Sequence, residues 1–329
     1  MRSTNDCIVK FMSRHPIVNC WGDGKNLSSD AKSLDAPRHL WNARLDPKRQ
    51  VKGMGMYSHV MDQWGIAYDL PIVLGNRQAG AAIEGAVRQT LIDDVEFVAV
   101  DTHGYTYFAV AVAKILGFDL LPRLRNFKEQ KLHLPKSIEP PISLRSVAAN
   151  DVSMDAINDG WDELNRVAAS IKSGTTSATL ALQRFGSASR ADPIHKAGVN
   201  YGKLLLTKTL IDLMLNADYR RTLHRILSHG ESIHALQRII YRGGIAPSQG
   251  RNEDSLLAIS GSLTLLTNLV TAWNTQQMQR VIDQWSKDRT RTVSAEIMRS
   301  IAPVHSAHIN FRGKLDFHLS KHRSLARNQ

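Results

Sequence analysis

The sequence predicts a mixed α/β domain carrying a helical insertion and additional C-terminal helices. Two observations predict it. From residue 15 to about 126, short apolar runs alternate with turn signals in the order strand, hairpin, helix, strand, helix, strand. From 151 to 242 the spacing is wholly helical, as in "DAINDGWDELNRVAASIKSG".

The elements follow in chain order. "HPIVNCW" reads as a strand, and the polar "GDGKNLSSDAKSLDAP" as a turn-rich connection. "MGMYSHVMDQWGIAYDLPIVLG" predicts one or two hairpin strands. In "QAGAAIEGAVRQTLI", Ala81, Ile83, Val87 and Leu91 fall near one helical face. "VEFVAV" is a short strand, and "YFAVAVAKILG" a helix closed by Gly117. "FDLLPRLRN" is a further strand interrupted by Pro122, and the proline-rich "FKEQKLHLPKSIEPP" a linker or irregular excursion. "SLLAISGSLTLLTNLVTAWNTQQMQRVIDQW" is one long helix or a helix pair, and the basic stretch from Ile301 onward is extended.

Composition narrows the function classes. The chain has 329 residues, 43% hydrophobic and 22% charged, which excludes wholesale disorder. A net charge of +12 points to a polyanionic partner, nucleic acid or an acidic membrane. Cys7 and Cys20 are too few for a disulfide framework and match no metal spacing. There is no run of 18 apolar residues and no signal-peptide pattern, so the expectation is a soluble, cytoplasmic chain. Phosphate-loop, dinucleotide-fingerprint and nucleophile-elbow spacings are all missing.

Three carboxylates stand out by context. Asp30 closes "GDGKNLSSD", Asp101 closes "VEFVAV", and Glu231 lies in the basic helical stretch "LSHGESIHALQRIIYR". Hard cations take oxygen ligands, and two of them can clamp the attacking and leaving oxygens of a phosphoryl displacement. A strand-end aspartate is more often a cap or turn residue. Spacing alone does not separate these three from the 30 acidic residues present.

The ordered segments "WGDGKNLSSD", "DTHGYT", "LGFDLLPRLRN", "SHGESIHALQRI", "TAWNT" and "IAPVHSAHINFRG" resemble the Tn3-family transposases, from about residue 15 to 315. The resemblance implies a ribonuclease H-like fold of the DDE transposase and integrase type. Its catalytic and metal-ligating residues would be Asp30, Asp101 and Glu231, holding Mg²⁺ or Mn²⁺, two ions in all. It implies cleavage of DNA at transposon ends and 3′-hydroxyl strand transfer into target DNA, by a homo-oligomer on DNA and without a membrane partner. The division it suggests is a core over 1–126, a helical insertion over 127–222, remaining core helices over 223–285 and a basic extension over 286–329. Family proteins are several times longer, so the alternative expectation is a truncated, non-catalytic remnant that binds DNA or joins a full-length transposase. Asp23, in "WGDG", rivals Asp30 for the first position, and Tyr107 stands where the family usually carries an acidic residue. His103 is expected as a turn residue or phosphate contact, and His234, one turn past Glu231, on the same face. Gly104 is expected to tighten the turn after Asp101, and Thr106 to cap the next helix. Arg123, Arg125, Arg225, Arg238 and Arg242 are expected to line a positive groove; the basic run from Lys314 to Arg327 reads as a solvated tail.

Overall fold

A computed structural model describes residues 1–36, 43–46, 50–186, 191–241, 252–287 and 293–310. At its centre is β1 (Asn26–Asp35), the very stretch whose polar residues read as a turn. Antiparallel to it runs β3 (Lys52–Met61), which pairs further out with the short β2 (Arg44–Leu45) and with β4 (Ile66–Ile72). On its other side β5 (Phe97–Val100) and then β6 (Asp119–Pro122) continue the sheet in parallel. The predicted hairpin is therefore β3–β4. Pro122 is the last residue of β6, at the sheet edge, where the missing N–H removes no central ladder bond.

The parallel strands need crossovers, which α2 (Ala79–Arg88) and α3 (Tyr107–Leu116) supply. The Thr106 side chain accepts from Ala109 N–H at 3.1 Å, as expected of an N-cap, and Gly117 ends α3 at φ 107°. Gly104 closes a tight turn after Asp101, as expected, its N–H donating to the Asp101 carbonyl at 3.1 Å. Its φ is not positive, but a Cβ there would lie 2.6 Å from Val100 Cβ, so close approach excludes a side chain.

Leu27, Val98, Val100 and Leu120 face α2 and α3, where Ile83, Phe108 and Val112 complete the main core. Each such side chain contributes about 1.5–3 kcal/mol on full burial. Beyond α3 lie α4 (Met154–Ser173), α5 (Ala178–Gly186) and α6 (Pro193–Leu215), with α6 packed on both α3 and α4. On the opposite face of the sheet, Ala99 and Leu121 pack against Leu223, Ile226 and Leu227 of α7 (Ala217–Ile240). The 35-residue α8 (Glu253–Lys287) is one continuous helix lying on α7, β4 and the N-terminal α1 (Arg2–Met12). Its residues 254–287 are long and apolar enough to cross a membrane by length and composition, yet half of the most apolar window is buried inside the fold. Asn268 reaches from α8 to the backbone of Ile66, accepting from its N–H at 2.9 Å and donating to its carbonyl at 3.0 Å.

Three expectations need correction. "HPIVNCW" forms a 3-10 helix over Pro16–Cys20, not a strand; Pro16 presets the first helical φ, and Ile17 and Val18 are buried as anchors. The polar stretch after "WGDG" is the central strand. The proline-rich excursion contains β7 (Leu132–Pro135), paired in parallel with β8 (Ala148–Val152). Near the C-terminus α9 (Ala295–Ser300) precedes turns up to residue 310, and the run from Lys314 to Arg327 lies outside the described residues, as does Arg242.

Candidate active site

The sheet register brings two of the three carboxylates side by side. The β1–β5 ladder runs from Asn26↔Phe97 to Ser29↔Val100, and the next residues in each chain are Asp30 and Asp101. Neighbouring strands lie about 4.8 Å apart. Leu27 and Ser29 share the face that packs on α2 and α3, so Asp30 lies with Ser28 on the α7 face. Ala31 N–H donates to the Asp30 carboxylate at 2.7 Å, and His103 N–H to that of Asp101 at 2.9 Å. His103 is thus a turn residue, as expected.

Glu231 arrives from α7. Its helix buries Leu223, Ile226, Leu227, Gly230 and Ile233 at helical spacing, and Gly230 sits directly over Ser28. Glu231, the next residue, is left exposed and lines one cleft with Asp30, Asp101, His103, His234 and Arg238; the cleft volume is about 990 Å³. The Glu231 carboxylate is turned to Arg123, whose Nη1 lies 3.1 Å from Oε1. Among the described residues, no three His, Cys, Asp or Glu side chains are gathered as metal ligands. The cleft therefore holds the three carboxylates without closing them on a common point.

Two neighbours tune this site. The Tyr57 ring is fully buried beneath it; burial first, then the charges of Asp30 and Asp101, hold its phenol protonated well above the usual range. His234 Nδ1 lies 3.6 Å from Asp30 Oδ2. Burial, then the charges of Lys32 and Arg238, push His234 down to about 3, so this is a contact of neutral imidazole with carboxylate and not an ion pair. His234 was expected near Glu231; its contact with Asp30 was not. Tyr57 was missed altogether, although its place on a strand antiparallel to β1 is the signal that finds it.

The rival Asp23 belongs elsewhere. Asn26 Nδ2, at the first residue of β1, bridges Asp23 Oδ1 and Asp62 Oδ2, both at 3.1 Å. From Asn26 to Asp30 the strand advances about 13 Å at roughly 3.3 Å per residue. Burial and the adjoining Asp23 raise the Asp62 carboxyl to about 7. Arg225 faces this acid pair rather than the cleft: Asp62 is the carboxylate that acts on it, and burial and Arg299 lower its pKa. Of the expected groove residues Arg238 lines the cleft and Arg123 reaches it through Glu231, whereas Arg125 and Arg225 are not among its lining residues.

A mixed sheet with helices on both faces, and acidic residues at the ends of adjacent parallel strands, is consistent with a DDE domain. The chain belongs to the Tn3 transposase DDE domain family, whose model matches residues 1–315. It is 44% identical, over 96% of its length, to the transposase for insertion sequence element IS1071 in transposon Tn5271 of Comamonas testosteroni. It is 27% identical over 93% to the transposase for transposon Tn501 of Pseudomonas aeruginosa, and 26% identical over 99% to that for Tn1546 of Enterococcus faecium. The chain spans about a third of the length of these relatives, 32%, 31% and 33% respectively.

Proposed function

We propose that this chain is the catalytic domain of a DNA transposase, cutting DNA at transposon ends and joining the freed 3′-hydroxyl to target DNA. The single observation that carries the reading is the β1–β5 register. It ends one residue before Asp30 and Asp101 and so sets two carboxylates on adjacent strands, in a cleft that Glu231 also lines. The six-stranded sheet, in which the antiparallel β2, β4, β3 and β1 are continued by the parallel β5 and β6, supports a ribonuclease H-like fold, with 127–222 as an insertion ahead of the Glu-bearing helix.

Asp30, Asp101 and Glu231 are the residues that would hold Mg²⁺ or Mn²⁺. The donor set fits: all three offer oxygen, the preference of hard cations, and the side chain now beside Glu231 is itself a cation, Arg123. When bound, two such ions supply charge neutralisation of the scissile phosphate and activation of the attacking hydroxyl. The chain's own groups do the rest. Neutral His234 packs on Asp30 and adds no competing positive charge. Arg238 and Arg123 offer guanidinium forks to DNA phosphates, Arg123 becoming free when Glu231 turns inward.

Nicking of a transposon-end duplex tests this reading. The parent chain, joined to the remaining two thirds of a full-length relative, is expected to nick in Mg²⁺ or Mn²⁺ and to stop in chelator. Asp101→Asn keeps the side-chain shape but removes the charge, and should abolish cleavage while leaving DNA binding intact. Cleavage by the Asn variant at the parent rate removes Asp101 from the mechanism. Salt-sensitive DNA binding with no cleavage by the parent favours the non-catalytic alternative.

A further inference from the structure

Beside the acidic cleft, and sharing Gly75 and Asn76 with it, lies a second cavity of about 480 Å³ between α2, α3, α5 and α6. That volume falls within the roughly 300–1,000 Å³ of small-ligand sites. Its lining is opposite in character to the cleft's, with no Asp or Glu among its residues. One cation, Arg77, stands at its edge with no carboxylate partner among the described residues. Tyr107, Phe108 and His195 supply ring surface, the Phe108 and His195 planes lying within 12° of parallel. Thr179 and Gln183 supply hydrogen-bonding groups.

The ring of Tyr107 is held in place from behind. Asp151 is buried enough to oppose ionisation, but Lys203 and His133 keep its carboxyl below the usual range, so it only accepts hydrogen bonds. His133 Nδ1 lies 2.9 Å from it, and Nε2 of the same ring lies 3.0 Å from the Tyr107 hydroxyl, so the imidazole ties Tyr107 to Asp151. The first turns of α2, α3, α5 and α6 also open on the cavity, with Thr106 capping α3 and the carboxylates of Glu84 and Asp192 taking first-turn N–H groups of α5 and α6, so the positive character rests on Arg77.

We propose that this cavity is a nucleotide site. It takes one unstacked nucleotide of a DNA strand whose neighbouring phosphate lies in the acidic cleft. The phosphate of that nucleotide meets Arg77, its base lies against Tyr107 and His195, and Thr179 and Gln183 meet the base edge. Positive charge, ring faces and amide groups in one carboxylate-free cavity match a nucleotide's phosphate, base face and base edge in turn. The proposal rests on the reading of the adjoining cleft as the DNA site. It adds that the strand is bent out of its stack there.

Photocrosslinking tests it. A 12-nucleotide single strand carrying 5-iododeoxyuridine at successive positions is bound to the protein, irradiated, and the labelled peptide sequenced by mass spectrometry. Tyr107 or His195 is expected to carry the label from one position of the strand. Val199→Phe, which fills the cavity from α6 and touches neither the carboxylates nor Arg77, should remove that label. Arg77→Ala should weaken strand binding about tenfold, the loss of one charge-assisted phosphate contact. Salt-sensitive binding of the strand with label confined to cleft residues such as His103 or Tyr241 overturns the nucleotide site and leaves the proposed DNA reading standing. No binding of the strand at low salt overturns both.

Discussion

Replacing Gly230 by Ala separates stability from function. A Cβ at Gly230 would lie 2.6 Å from Ser28 Oγ and 3.5 Å from Ser28 Cβ, while ordinary contact begins near 3.4 Å. With Ser28 in its present rotamer the helix must lift off β1 by about 0.8 Å at the residue before Glu231. Overpacking of this kind costs about 1–3 kcal/mol. Alanine returns about 1 kcal/mol through helix propensity, so the net stability loss should be only about 0–2 kcal/mol. Misplacement of a reacting group by about 1 Å costs on the order of 10²-fold in rate, so metal-dependent nicking should fall far more than the melting temperature. Ser28→Ala supplies the control. Its hydroxyl is buried without a hydrogen-bond partner among the described residues, so its removal should be neutral or slightly stabilising. In Ser28→Ala/Gly230→Ala the nearest atom becomes Cβ at 3.5 Å, and nicking should return to near the parent level. A double variant no better than Gly230→Ala alone, or a Gly230→Ala chain with full activity, refutes the close approach as what sets Glu231 against the aspartates.

Three further outcomes follow from the same structure. Burial lowers His59 to about 4 and His229 and His234 to about 3, so these groups favour folding above pH 6.5 and cost stability as pH falls below it. Asp62, raised from 3.8 to about 7, works the other way, its contribution falling as pH rises through that range. Between about pH 4.5 and 6 unfolding should thus take up roughly three protons less one. The unfolding free energy should rise with pH by roughly 2–3 kcal/mol per unit, and a flat profile there refutes the buried neutral histidines. Asp62→Asn should stabilise the chain at pH 8 and leave nicking unchanged; lost nicking at parental stability would move the acid pair into the chemistry. Log affinity for DNA should fall with log salt at about −0.9 per phosphate neutralised, and Arg238→Ala should reduce the slope by about one, an unchanged slope removing Arg238 from the groove.

Much of the sheet was legible because β5 and β6 are apolar runs bounded by turn signals, and β3–β4 carries Tyr57, Val60 and Ile66 in strand-like density. The central strand was hidden by its own composition. "NLSSDAKSLD" lacks the β-branched and aromatic residues that mark strands, because Ser28 must stay small beneath Gly230 and Asp30 must reach the cleft. Burial of Ser28, Ser29 and Lys32 is a tertiary outcome that no local pattern announces. The opposite error arose at "HPIVNCW", where buried Ile17 and Val18 look β-like but follow a proline that starts a 3-10 turn.

The candidate site was legible by a different route. Composition indicated a polyanionic partner, and ordered motif agreement singled out three of thirty acidic residues. What motif agreement left open was Asp23 against Asp30, two aspartates in one segment. Strand phase and position separate them physically. Asp23 precedes the strand and shares Asn26 with Asp62, whereas Asp30 follows Ser28 on the α7 face and stands beside Asp101 by parallel register. A one-residue slip of β1 against β5 would turn Asp30 toward Phe108 and the main core, where an unpaired carboxylate is costly. The buried face of the sheet therefore fixes the register, and the register in turn fixes which aspartate lines the cleft.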